Sequence, residues 1–346
     1  MRAATSNAEM RLRFAVWVWA VLTLGGAGAG SFEPPRVSSA PAGEGPDRAS
    51  AERRSGGYPT KIVLIAGGPS HAPGEHEYRA GCLLMKKCLE EAQAVEVVLA
   101  TNGWPVDVRE FDRASAVVMF CDGGEGHPVL VGDRRRVLAS LMSKGVGIGA
   151  IHFALAVPKE KAGRHFAEWI GGFYEDLYSC NPIWSPDYRV FPAHPITRGI
   201  KPFSVRDEWY MHLRLRATAD GVVPVLVARP SDAVRAGPYQ EPKGPFPHVL
   251  AARGQEEIML WALERRGGGR AFGFTGGHFH VNWGDENFRR VVLNAILWVA
   301  RVEVPLEGTQ SVVTDADLRA NLDHKEQGGW FRRGVKALRR AVQGRP

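Results

Sequence analysis

Cysteine is scarce in this chain and poorly spaced for chemistry. Cys82, Cys88, Cys121 and Cys180 are the four among 346 residues, and no two of them form a CxxC pair. Neither a zinc knot nor a thioredoxin-like redox pair is supported. Cys82 and Cys88 stand six apart on a predicted helix, hence on different faces, and should not bridge one another. Buried free thiols are the default expectation, with any other pairing open. The first 81 residues hold no cysteine, which argues against bacterial lipidation at that end. Acidic residues are missing from the last stretch, WFRRGVKALRRAVQGRP, which carries six Arg and Lys. The first 57 residues add seven arginines against five acids, so of the net charge of +7 almost nothing is left for the middle. A basic excess confined to the ends gives no nucleic-acid-binding surface. The tail is either solvated or touches anionic membrane or polymer. Internal repeats are absent too.

Charge is also missing from FAVWVWAVLTLGGAGAG (14–30), which follows Arg2, Arg11 and Arg13 and ends in small residues. That is the layout of a secretory signal peptide over 1–30, cleaved near Ala27 to Gly30, and it implies export to the periplasm or the medium. The alternative is an uncleaved membrane anchor, since the run approaches the ~20 residues that span a bilayer. Residues 31–59 are rich in Pro, Gly, Ser, Ala and Arg and read as a disordered linker. A single folded domain is expected over 60–305, with a peripheral arm and the basic tail over 306–346.

Within 60–305, short apolar runs alternate with helical patterns. KIVLIAG (61–67), VEVVLA (95–100), ASAVVMFCDGG (114–124) and VGIGAIHF (146–153) suit strands buried on both faces. HEYRAGCLLMKKCLEEAQ, DRRRVLASLMSKG and KEKAGRHFAEWIGG supply helices between and after them. This alternation predicts an α/β doubly wound, mostly parallel sheet. After Tyr174 the rhythm changes. DYRVFP, EWYMHLRL, GVVPVLVAR, HVLAAR, IMLWALER and RAFGFTGG are all strand-like and predict antiparallel additions to the same sheet. ENFRRVVLNAILWVAR (286–301) is a clearly amphipathic helix.

Open parallel sheets bind ligands beyond the carboxyl ends of their strands. After the first strand come His71, His76 and Glu77; after the third, Asp122 and His127; after the fourth, His152; after RAFGFTGG, His278 and His280. Most of the eleven histidines therefore fall on one rim. Each has a plainer reading. His71 and His76 could serve as loop donors, Asp122 before two glycines as a turn residue, and His127 beside Pro128 as an exposed structural group. His152 ends an apolar strand at an elbow and is harder to dismiss. His278 and His280 share a face only if HFH is extended. Of the adjacent Asp207 and Glu208, at most one joins the rim, and the other faces solvent or a partner such as Arg206. Trp209, Tyr210, Trp283 and Phe279 could form apolar platforms for sugar rings, or simply pack the core.

KIVLIAGGPSHAPGEHEY, DGGEGHP, GVGIGAIHFALAVPK, HPITRGIKPFSVRDEWY and RAFGFTGGHFHVNWGDENFRRVVLNAILWVA together resemble the ThuA-like family, named after a trehalose-utilisation protein. The resemblance spans about 60–305. It implies a flavodoxin-like fold similar to class I glutamine amidotransferases, and a role near carbohydrate metabolism. Amidotransferases of that fold place a nucleophilic Cys at the elbow where GAIHFA stands here, so thiolate acyl transfer is excluded. Exported members of the family carry a Glu where Ala156 stands in HFALA. If that Glu is catalytic in them, this chain relies on Glu77 or Glu208, or only binds.

The expected function is action on, or binding of, a sugar or keto-sugar. Histidine and carboxylate would exchange protons near neutral pH in a hydrolase, lyase or isomerase reaction. His152, His278 and Glu208 are the expected catalytic trio. His71, His76, Glu77, Asp122, Asp207, Trp209, His280 and Trp283 are expected to bind substrate. The alternatives are a non-catalytic glycan-binding module and a sugar enzyme dependent on a divalent metal. That metal would be held by three of His71, His76, His152, His278 and His280, with one position left open.

Overall fold

The computed structural model describes residues 58–217, 220–240 and 243–325. The signal, most of the linker and the basic tail lie outside the described residues. Seven strands form the central sheet: β1 (Thr60–Ala66), β2 (Val95–Ala100), β3 (Ala114–Phe120), β4 (Gly147–Ile151), β5 (Val222–Ala228), β6 (Glu257–Glu264) and β7 (Arg270–Phe274). Their order is β5-β6-β7-β4-β3-β1-β2. β2, β1, β3, β4 and β7 run parallel, and β6 is antiparallel to both of its neighbours. Ile62, Val63 and Leu64 are fully buried, as are Val117, Ile148 and Phe272, because helices cover both faces of the sheet. α1 (Tyr78–Ala92) and α6 (Glu286–Val299) pack on one face; α2 (Arg134–Ser143) and α3 (Arg164–Trp169) pack on the other. The expected mostly parallel sheet with antiparallel additions is thus present, and it is flavodoxin-like.

The second half departs from the expectation in detail. Of its strand-like segments, those that became β5, β6 and β7 join the central sheet. DYRVFP and EWYMHLRL form only two-residue ribbons: Asp187–Tyr188 on Phe203–Ser204, Asp207–Glu208 on Ile183–Trp184, and Arg214–Leu215 on Gly172–Phe173. HVLAAR is a short helix, Pro247–Ala251, rather than a strand. Pro247 at its first turn has no N–H to leave unpaired and a φ already set for a helix, which outweighs the β preference of Val249. Among the described residues, no helix is long and apolar enough to cross a membrane.

Helix α6 anchors the whole face. Asp285 caps it by accepting the Phe288 N–H at 2.8 Å, and the helix is almost wholly buried, with Leu293 fully so. Leu293→Ala is expected to destabilise the fold by ~2–5 kcal/mol, read from chemical denaturation midpoints, through lost burial plus a residual cavity.

Candidate active site

Strand ends deliver the site. β1 leads into the loop carrying Ser70, His71, Glu75 and His76; Asp122 lies two residues beyond β3; His152 directly follows β4; β7 runs into Thr275 and His278. Glu208 comes from the short ribbon that crosses the rim. Loop and strand end are stitched together at backbone level. The His76 N–H donates to the His278 carbonyl and the His280 N–H to the Gly74 carbonyl, each at 2.9 Å, beside an antiparallel bridge between Glu75 and Phe279.

Four side-chain atoms meet at the centre. His76 Nε2 lies 2.9 Å from His278 Nδ1 and 3.0 Å from His152 Nε2. Glu208 Oε2 lies 3.2 Å from His152 Nε2 and 3.3 Å from His278 Nδ1. All four residues are buried. Around them, the remaining polar atoms are engaged. His152 Nδ1 donates to the Thr275 carbonyl at 2.8 Å, and Glu208 Oε1 accepts from Asn181 at 3.0 Å. Tyr78 Oη sits 2.7 Å from His76 Nδ1 and donates to Asp122 at 2.9 Å. Tyr210 stacks on the His152 ring. His71, Glu75 and Asp122 occupy the mouth, with side chains 21%, 32% and 38% exposed. Ser70 donates to Asp122 at 2.6 Å and contacts His71 Nδ1 at 2.9 Å.

Charge is divided unevenly over this cluster. Burial opposes ionisation of Glu208, yet the imidazoles of His152 and His278 beside it pull it down to about 2. Burial likewise works against a charged His278, but Glu208 and Glu75 hold it up to about 9. Burial, reinforced by His152 and His71, pushes His76 well below the usual histidine range. Burial also lowers His71, to about 4, although Asp122 opposes it. Neutral histidines at His71 and His76 thus stand beside a charged pair.

The backbone is strained where it presents these groups. His71, His76 and His152 have φ of +62°, +47° and +54°, a left-handed conformation that costs a non-glycine residue roughly 1–3 kcal/mol. Asp207 braces the other side of the site. Its buried carboxylate accepts N–H groups of Gly277, His278 and Phe279 and so fixes the loop that aims His278. As expected for adjacent residues, only Glu208 of the pair enters the cluster. Asp207 is turned to backbone amides rather than to Arg206 or solvent.

Several expected site residues are elsewhere. HFH is a turn, not a strand, so His280 does not share a face with His278. It lines a separate cleft of about 490 Å³ with Phe279, Val281, Leu318, Arg319 and Leu322. That cleft meets the site at Glu75. Trp209 and Trp283 are buried in the core against Phe288, and give sugars no platform. Glu77 is buried and taken up by structure, accepting N–H groups of Gly74 and Asp323 and pairing with Lys325 at 3.1 Å. Ala156 is buried against Tyr174 and Tyr210, and Glu208 is the nearby buried carboxylate. All four cysteines are buried, and burial raises their pKa values, Cys180 to about 12, so none is a ready thiolate. Tyr78, Glu75, Asn181 and Thr275 were not singled out in the sequence. The HEY triplet, placing a phenol two residues from His76, was the available signal for the first.

Strand order, rim and buried polar cluster define an α/β protein of the flavodoxin-like class with its chemistry at the carboxyl ends of the strands. The family model for trehalose utilisation, ThuA, matches residues 63–299, and the chain belongs to that family. Two solved ThuA-like proteins share the fold. One, from Bacteroides uniformis, is 17% identical with a TM-score of 0.53, covering 70% of this chain and 92% of its own. The other, from Parabacteroides merdae, is 16% identical with a TM-score of 0.50, covering 74% and 94%. No curated protein matches the chain significantly. Family membership is consistent with a carbohydrate-related role in general.

His127, expected at the surface, is fully buried. It accepts the Val129 N–H at 3.0 Å and contacts the Ala154 carbonyl at 3.1 Å. Burial lowers its pKa to about 4 from the usual 6.5. A histidine held neutral in the folded state adds stability above pH 6.5 that is lost as pH falls toward 4, because the unfolded chain binds the proton first. Stability measured by denaturation is therefore expected to fall across that window, and His127→Asn is expected to reduce the slope.

Proposed function

We propose that this protein is an enzyme acting on a sugar or keto-sugar at the strand-end rim. The observation that carries the reading is the meeting of His76, His152, His278 and Glu208, from distant segments, at mutual distances near 3 Å in a buried place. Structural economy alone would not hold two strained histidines, His76 and His152, there. Membership of the trehalose-utilisation family supports the substrate class.

His152, His278 and Glu208, the trio expected from sequence, form the buried floor of the site beneath its mouth. His152 has no exposure of its own, so its role runs through the neighbours it positions. Proton exchange with substrate falls to the mouth, where His71, Glu75 and Asp122 are reachable. Burial keeps His71 uncharged at pH 7, which leaves it a proton acceptor of modest strength. Phe279 and the 490 Å³ cleft beside Glu75 offer an apolar wall for the rest of a disaccharide. Export through residues 1–30 completes the proposal and places the substrate outside the cytoplasm.

Incubation with trehalose, other disaccharides and their 3-keto derivatives tests it. Product is expected with at least one, and Asp122→Asn or His71→Ala is expected to lower kcat by about 100-fold or more, with stability changed by less than ~1 kcal/mol. Binding without product at high protein concentration would instead make the chain a glycan-binding module.

A further inference from the structure

We propose that His76 Nε2, His152 Nε2, His278 Nδ1 and Glu208 Oε2 together bind one divalent transition-metal ion. The binding claim stands on the cluster alone; what the ion acts upon rests on the sugar-enzyme reading above.

Tautomers make the case. A backbone carbonyl only accepts, so His152 Nδ1, 2.8 Å from Thr275 O, carries the proton and Nε2 presents a bare lone pair. Tyr78 gives its hydroxyl proton to Asp122, so His76 Nδ1 donates to the phenol oxygen and His76 Nε2 is bare as well. These two bare nitrogens face each other at 3.0 Å, with the Glu208 carboxylate 3.2 Å from one of them. Lone pairs and a negative charge directed into one buried point repel; without a metal, only a proton on His278 Nδ1 and the Tyr210 hydroxyl, 3.3 Å from His152 Nε2, relieve this. A proton satisfies one pair of these atoms; a dication bonds to all of them.

The dimensions agree. Metal–ligand bonds of about 2.0–2.2 Å put neighbouring ligand atoms roughly 3 Å apart or slightly more. The four sides of this cluster measure 2.9, 3.0, 3.2 and 3.3 Å, and all four atoms lie within 4.8 Å of one another. Outer partners are those that orient metal-bound histidines: a carbonyl behind His152, a phenol and then a carboxylate behind His76, and Glu75 3.6 Å from His278 Nε2. Asn181 holds the second Glu208 oxygen. Three imidazoles and one carboxylate favour Zn²⁺, Fe²⁺ or Mn²⁺ over Mg²⁺ or Ca²⁺, which take oxygen ligands. His71 and Asp122 lie at the mouth, where a hydroxyl or carbonyl oxygen of a sugar could complete the coordination.

The test uses the full chain, stripped with a chelator, dialysed, and reloaded separately with Zn²⁺, Mn²⁺ and Co²⁺. Close to one ion per chain is expected by elemental analysis, with visible d–d absorption in the Co²⁺ form. Glu208→Gln and His278→Gln are expected to lose the ion and the absorption, whereas His165→Ala, outside the cluster, is expected to keep both. Tyr78→Phe leaves every ligand in place and removes only the partner that fixes the His76 tautomer; it should weaken binding by about 10- to 100-fold. That variant keeps the test open if a ligand variant fails to fold. Folded wild-type protein that takes up no ion, or ligand variants that retain it, would overturn the proposal. Stoichiometric metal with no turnover of any sugar would leave the ion in place and remove the carbohydrate reading alone.

Discussion

The 2.9 Å contact between His76 and His278 joins the end of the first strand to the end of the last. Every neighbouring feature is arranged so that this contact and its two companions, His152 and Glu208, can exist. Buried polar atoms demand partners, because an unpaired one forfeits its hydration with nothing in return. Here the partners are drawn from the whole length of the domain. Order at the rim therefore requires order in the sheet, and the fold positions the site by placing β1, β4 and β7 within one parallel array.

Support for the cluster comes from further away than the cluster itself. Asp207 accepts three successive backbone N–H groups of the 277–279 loop. On the other side, the arm after α6 returns across the β1 loop. Lys325 pairs with the buried Glu77 and donates to the carbonyls of Glu75 and His76, while Asp323 N–H reaches the other oxygen of Glu77. The left-handed conformation of His76 is thus held from both ends. The sequence suggested a peripheral role for this arm; in the structure its last described residues are part of what holds the histidine loop.

Strand pattern and histidine placement were legible in the sequence because each depends on local order. An apolar run of five to seven residues followed by turn residues can be read without knowing its neighbours, and His71, His76, Asp122, His152 and His278 were found that way. What was not legible depended on pairing across the chain. The ribbon at Asp207–Glu208 is two residues long, too short for any periodicity, and its place over the rim is set by Ile183–Trp184. His280 and His278 diverge because the chain enters a 3-10 turn over His280–Gly284 instead of staying extended. Trp209 and Trp283 looked equally suited to a sugar platform and to a core, and only the packing of Phe274 and Phe288 around Trp209 decides the matter. Glu77, expected to bind substrate, is instead paired with Lys325, nearly 250 residues later.

One measurement bears on the central claim more directly than any other: a crystal structure of the metal-loaded protein with anomalous scattering recorded on both sides of the metal's absorption edge. The expected result is a single strong anomalous peak within bonding distance of His76 Nε2, His152 Nε2, His278 Nδ1 and Glu208 Oε2. A structure in which these four side chains point to separate surroundings, with no peak among them, would contradict the account.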